Sequence, residues 1–477
     1  MVKTYFKPAW ATEASYVIYK VGDEIRGMNG RHGHIDVRGT DAATVINKVF
    51  ALLTPGRTAK EKVVLKGSFE LSGPLEIPSF TVLDLRNASL KLADGADCRM
   101  IENSDQVAGN SDIEIFGGLL DGNKSNQTTG HALVFTLVSK AKIVGTEIKD
   151  SYDNAITLDR CSDLSIEGCF IGTAGAPGSA VGYGIYSRGA AAELATSIRV
   201  RNCRIVDSKV DGISIAEYHR DVIVEGNAIQ GTTDTAIVIK CQGGTVANNQ
   251  IRGVNGTGII VDSYPDTEET TDVNVVGNQI YGSDPNDGIR IGFAADRPTR
   301  NITCVGNVVG GTTRFAYYIN YVDNVTIAGV IGRNSGYGLV ATNATQIQIN
   351  DCVFHHNSDA GISIDDTCSE VEIIGTKTYN NAYHGIRTLA DNTVISGCQC
   401  WNNGTAATHR NGIQIDNALN CVVVGCRCWD IDGVQDYGVG EGGTSDYTLL
   451  DGCNLRGNAI AGHTVDATNS VVGDVIT

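Results

Sequence analysis

Proline is scarce in this chain, 8 in 477 residues, and methionine and tryptophan number 3 each. Glycine is abundant at 57, but without third-residue spacing, and with so few prolines, the chain is not collagen. Charged residues make up only 19%, while 42% are hydrophobic, which excludes a disordered chain. No apolar run reaches the roughly 18 residues of a membrane helix, so no membrane partner is expected. Residues 1–20 lack a basic stretch followed by an apolar block, so no secretory leader is expected in this chain. Positive charge is also short: 37 Lys and Arg against 54 Asp and Glu give a net charge of −17. Nucleic acid is therefore excluded as a partner, since phosphate binding needs a basic face.

Length alone suggests about three domains, but repeats change that reading. One frame, Ile/Val-x-Gly-[Asn/Cys]-x-Ile, places an anchor residue at Asn87, Gly118, Thr146, Cys169, Cys203, Asn227, Asn249, Asn278, Asn307, Val330, Cys352, Thr376, Cys398, Cys426 and Cys453. The commonest gaps are 22 to 24 residues. A second frame, x-Gly/Ala-Ile-x-Ile, interleaves with it from Asn154-Ala155-Ile156 to Asn411-Gly412-Ile413. Each period holds short runs of alternating Val and Ile bounded by turn residues, which is strand patterning. A fixed period of this kind means a repeat architecture. The fold class expected is all-β, a single-stranded right-handed parallel β-helix of about 15 coils stacked at ~4.8 Å.

Six of the fourteen cysteines occupy the first anchor and five of its other positions are Asn. Stacked coils turn such a column into a ladder, in which amides bond one another and thiols pack as small apolar groups. Buried thiols are expected rather than disulfides, and no Cys set has zinc-ligand spacing. Thr40 to Leu53 reads as one amphipathic helix, capped by Thr40 or Asp41, with Ala42, Val45, Ile46, Val49 and Phe50 on its apolar face. The division expected is a strand-rich leader at 1–38, a capping helix region at 39–62, the β-helix at 63–455 and a C-terminal cap at 456–477. Ser263–Asp272 and Ala294–Arg300 read as long insertions on one face, and solenoid insertions often mark a binding face.

The stretch Gly-Thr-Asp-Ala-Ala-x-Val-Ile-x-x-Val at 39–49, then Val-Val-Leu-Lys-Gly-Ser-Phe-Glu-Leu at 63–71, resembles the right-handed β-helices of the pectate-lyase-like superfamily. That group holds polygalacturonases, pectate and alginate lyases, mannuronan epimerases and phage tailspikes. The resemblance covers roughly residues 35–460 and implies a polysaccharide partner, with one fold hosting many chemistries. Four consecutive coils are similar to the polygalacturonase pattern of N-T-D, D-D, G-H-G and R-I-K. Asp211, Asp234 and Arg290 match it, while Thr235, Thr257 and Gly292 stand in place of the second Asp, the His and the Lys.

Alternate residues of the x-Gly-Ile-x-Ile strand point outward. This gathers Tyr183, Tyr186, Arg188, Asp211, Asp234, Lys240, Asp262, Asp287 and Arg290 into a strip spanning 183–297, with Glu217 and His219 in the turn after Asp211. A sugar groove needs this mixture of aromatic faces, cations and carboxylates. For a hydrolase, Asp211 and Asp234 are the carboxylate pair. For a lyase on a uronan, Arg290 or Arg188 holds the carboxylate and Lys240, His219 or a Tyr takes the C5 proton. Tyr183, Tyr186, Arg188, Glu217, Asp262 and Asp287 are the candidate substrate contacts. A second outward cluster holds Asp365, His384, Arg387, Asn411 and Asp416, and His355-His356 reads as one side chain in and one out. No cofactor is expected, the alternative being calcium among Asp262, Asp266 and Glu268. The function expected is cleavage of a polysaccharide; the alternatives are a non-catalytic, homotrimeric tail spike or adhesin, and a uronan C5-epimerase. The location expected is extracellular or on a virion surface.

Overall fold

The computed structural model describes residues 14–263, 269–282, 286–293, 299–405, 410–465 and 467–477. Contacts divide the chain into two compact units, Met1–Asp234 and Thr235–Thr477. The fold is an all-β, parallel, right-handed solenoid of about 16 turns, with one short α-helix among the described residues, near the N-terminus. That is one turn from the number of coils the repeats imply.

The first unit opens with β1 (Tyr16–Val21), β2 (Glu24–Asn29) and β3 (Ile35–Gly39), paired antiparallel in sequence. α1 (Ala42–Ala51) follows, with Asp41 as its N-cap accepting the Thr44 N–H at 2.7 Å. The five apolar residues read from its periodicity are all buried. The helix lies hard against β2, where a Cβ on Gly27 would meet Val49 at 2.6 Å. β1 then pairs in parallel with β4 (Glu61–Leu71), and the coils proper begin.

Each coil places an apolar residue over its equivalent in the next. Ile156, Ile185 and Ile213 stack in register in the first unit. Leu339, Ile362, Ile386 and Ile413 do so in the second, and all seven are fully buried. The glycine of the x-Gly-Ile frame is required by close approach. A Cβ on Gly184 would sit 2.6 Å from the Gly212 carbonyl oxygen, and one on Gly361 equally close to that of Gly385. In the second unit parallel pairing runs on past 455, through Ala461–His463 and Val471–Val472.

The first anchor column has a specific bonding rule. At several of its positions the side chain accepts the backbone N–H of the anchor one coil earlier, whereas Gly118 and Val330 offer no acceptor and the buried Thr146 hydroxyl has no partner. Asn227 Oδ1 takes Cys203 N–H at 2.9 Å in the first unit. In the second unit Asn278 takes Asn249 at 3.0 Å, Asn307 takes Asn278 at 2.8 Å, Thr376 takes Cys352 at 3.3 Å and Cys453 Sγ takes Cys426 at 3.3 Å. Asn, Thr and Cys share an acceptor of suitable length, which explains why these residue types alternate there. The thiols also donate back to carbonyls, as Cys352 does to Asn350 and Ile327 at 3.2 and 3.5 Å. None of the fourteen cysteines, all among the described residues, is in a disulfide; thirteen are buried. Asn87, expected in this column, is exposed instead.

Candidate functional site

The expected strip of 183–297 falls on both units, so its residues form two clusters, each described within its own unit. In the first, Tyr183 and Tyr186 stand at the outward positions around Gly184-Ile185. Their rings lie 4.9 Å apart, tilted by 36°. The next coil brings Asp211 into the position equivalent to Tyr183, as the Gly184 N–H donates to the Asp211 carbonyl at 3.0 Å. Asp234 follows, its N–H donating to the Val210 carbonyl at 3.4 Å. Tyr183 feels this neighbourhood directly. Burial, then the charges of Asp211, Asp234 and Glu217, push its phenol up to about 12. The phenol is therefore a neutral donor at any ordinary pH. Asp211 is buried at 7% exposure, while Asp234 is exposed.

Arg188 is on this face but engaged: its Nε donates to Asp159 at 2.9 Å, one coil below. His219 is displaced from the expected outer turn. The strand Ile213–Glu225 runs through that turn, and Tyr218, at φ 61°, resets the in–out alternation. His219 is consequently 1% exposed, with Nε2 2.8 Å from Ser187 Oγ and Nδ1 2.9 Å from the Ala216 carbonyl. A side chain so enclosed cannot touch a polymer. Burial lowers its pKa from 6.5 to about 4. The unfolded chain then binds more protons between these values, so this contribution is complete above about pH 6.5 and lost as pH falls to about 4. We expect wild type to lose about 3 kcal/mol more than His219→Gln across that window, read from urea midpoints against pH.

In the second unit, Lys240 is half-buried on the strand Ile237–Ala247. Arg290 pairs with Asp262 at 3.2 Å and lies under the Phe293 ring, 4.8 Å from its centroid. Asp262 and Asp287 are 5% and 1% exposed, beneath rather than on the outer surface. Burial pushes the Asp287 carboxyl above the usual carboxylate range, against the pull of Arg314 and Arg290. Arg314, 3.8 Å from Asp287, stacks on Phe315, and Phe315 packs on Tyr318 and Tyr337. Sequence reading missed these four. The rival cluster is closed by its own bonds: Arg387 pairs with Asp416 at 2.8 Å, and His384, lowered to about 4 by burial, accepts the Asn411 N–H at 3.1 Å.

His355 and His356 are not split between inside and outside. His355 is half-buried and stacks on Tyr379 at 4.7 Å and 2°, while His356 is exposed. Tyr379 stacks on Trp401 at 4.4 Å, and Trp401 on Trp429 at 4.9 Å, each within 10° of parallel. This ladder was also missed, although every member stands three residues after an anchor. Of the proposed calcium ligands, Asp266 and Glu268 lie outside the described residues, as do 264–268 and 294–298 of the two long insertions. Among the described residues no group of three His, Cys, Asp or Glu side chains is placed to hold a metal ion, and no helix is long and apolar enough to cross a membrane.

The chain matches the family described as "Right handed beta helix region" over residues 63–229, 179–320 and 315–476. It belongs to the right-handed β-helix family. The fold implied by the pectate-lyase-like resemblance is thereby borne out. No curated protein matches the chain. Among solved structures, this β-helix is similar to the N-terminal fragment of bacteriophage phi29 gene product 12, with 17% identity over 89% of this chain and 69% of that one, at a TM-score of 0.55. It is also similar to the A-module of a mannuronan C-5 epimerase of Azotobacter vinelandii, at 15% identity over 91% and 95% of the two chains, with a TM-score of 0.35. A third is a mutant tailspike protein of Escherichia coli bacteriophage HK620 in complex with a hexasaccharide, at 13% identity over 90% and 76% and a TM-score of 0.46. At such identities the likeness concerns the fold alone.

Proposed function

We propose that this β-helix hydrolyses a neutral polysaccharide on the Tyr183–Asp234 face of its first unit. The observation that carries the reading is the aromatic pair Tyr183–Tyr186, its Tyr183 phenol raised first by burial and then by the charges of three carboxylates, Asp211, Asp234 and Glu217. Ring faces suit pyranose rings, and paired carboxylates are the working groups of glycoside hydrolysis. In this reading Asp211, the more buried, protonates the leaving oxygen, and exposed Asp234 acts as base or nucleophile.

The lyase and epimerase alternatives need a cation for a uronate carboxylate. Arg188 is committed to Asp159 and Arg290 to Asp262, and the acidic surroundings of Tyr183 repel an anionic polymer. The proposed setting is extracellular or on a virion surface, where cell-surface polysaccharides are exposed. Incubation with neutral and uronate polysaccharides tests this. New reducing ends without ultraviolet-absorbing unsaturated ends, on a neutral polymer, are the expected result. Unsaturated ends, or cleavage of uronans alone, would overturn it; binding with no new ends would make the protein a glycan-binding spike or adhesin.

A further inference from the structure

We infer that the second unit carries a binding groove for a linear, neutral oligosaccharide, lined by hydroxyl, amide and imidazole groups and separate in chemistry from the carboxylate face. The groove has a volume of about 640 Å³. Its floor is Thr312, Ser335 and Asn357, one from each successive coil and all at most 4% exposed. One rim is Asn334, His356 and Asn380, which follow the same coil spacing. All three are held in the left-handed region, at φ 51°, 56° and 52°. The opposite rim is Thr313, Gly336 and Ser358. Gly336 is required by close approach of the neighbouring coil, since a Cβ there would meet the Arg314 carbonyl oxygen at 2.1 Å.

Three features define the ligand. Among the described residues no Asp, Glu, Lys or Arg lines the groove, so neither an anionic nor a cationic ligand meets a carboxylate, ammonium or guanidinium partner there. Hydroxyls and amides recur along it once per coil, ~4.8 Å apart, which suits a polymer presenting repeated hydroxyl groups. The floor is closed by its own bonds, Ser335 Oγ donating to the Arg333 carbonyl at 3.1 Å and Asn357 Oδ1 accepting the Ser335 N–H at 3.1 Å, so the ligand's polar contacts fall to the rims. An extended peptide is a poorer match, because it would need free strand edges. Here the rim N–H groups are already donated to the next coil, Asn334 to His355 and His356 to Tyr379, both at 3.3 Å.

The aromatic ladder stiffens one side. His355 and Tyr379 each immediately precede a rim residue, and Tyr379 stacks on Trp401. Two of the chain's three tryptophans, Trp401 and Trp429, are in this ladder. Tryptophan emission is therefore a built-in reporter, once Trp10 is replaced by Phe.

The test uses the full chain with Trp10→Phe, Asp211→Asn and Asp234→Asn, so that no cleavage confuses binding. Maltohexaose, cellohexaose and mannohexaose are the neutral probes and oligogalacturonate the acidic control. The expected result is saturable binding of at least one neutral hexaose, with a change in tryptophan emission. Adding Asn334→Gly and Asn380→Gly should weaken it about tenfold or more, the loss of two hydrogen bonds. Glycine accepts the left-handed backbone without strain, so an unchanged thermal melt separates lost contacts from lost structure. The proposal is overturned if no neutral hexaose binds, if the double glycine variant binds equally well, or if oligogalacturonate is preferred. Failure of the hydrolase reading leaves this outcome unaffected, since both carboxylates are already replaced.

Discussion

Asp211→Asn and Asp234→Asn are each expected to cut polysaccharide hydrolysis by about 10²–10⁴-fold, measured as reducing ends released per unit time. Asn keeps the size and planarity of Asp but neither delivers nor accepts the proton that the reaction moves. If Asp211 protonates the glycosidic oxygen and Asp234 activates water or attacks the sugar, the two act as a unit. The double variant should then be little worse than the worse single one. Tyr183→Phe separates platform from chemistry. Its ring still stacks on Tyr186, and a phenol raised to about 12 by burial and nearby carboxylates serves only as a donor. Its loss should raise KM more than it lowers kcat. Full activity in either Asp variant would end the carboxylate-pair reading, whatever the substrate proves to be.

The fold was legible because each coil repeats the same two demands. One position leaves room for a hydrogen or at most a methyl, as at Gly184, Gly361 and Ala155, and another accepts an N–H from the previous coil at many of its occupants, as at Asn278 and Cys453. Those demands favour Gly or Ala, and Asn, Thr or Cys, at fixed phase, and the phase is readable. The outward residues of straight strands were legible for the same reason: Tyr183 and Tyr186 flank an inward Ile185. Turns were not. A single residue in the left-handed region, such as Tyr218, reverses which face the following side chains occupy, and His219 moved from the surface to the interior. Asp262 and Asp287 fell beneath the surface because Arg290, Arg314 and Phe293 close over them, contacts between coils that periodicity does not encode. The aromatic ladder and the polar floor of the second-unit groove stand three and five residues after the anchors. Their phase was present in the chain, but their residue types vary between His, Tyr and Trp, or Thr, Ser and Asn, and so do not read as one repeated letter.

The anchor rule carries the largest expected effect on stability. Asn278 Oδ1 accepts both the N–H and the side-chain amide of Asn249, at 3.0 and 2.9 Å. Its own amide donates to the Val246 carbonyl and to Asn307 Oδ1, at 2.8 and 2.9 Å. All three side chains are at most 1% exposed. Asn278→Leu removes four hydrogen bonds at once and leaves buried donors and acceptors on both neighbouring coils. Each orphaned group costs about 1–3 kcal/mol, so a total near 4 kcal/mol is expected even after some are rewetted. Asn278→Cys should cost less. A thiol in this column accepts the N–H of the preceding anchor, as Cys453 does from Cys426, and donates to carbonyls as Cys352 does. It therefore restores the backbone acceptor while losing the amide pair. Denaturant unfolding of the two variants side by side tests the rule. Equal destabilisation by Leu and Cys would mean that the column is selected for volume, and that the N–H acceptor is incidental.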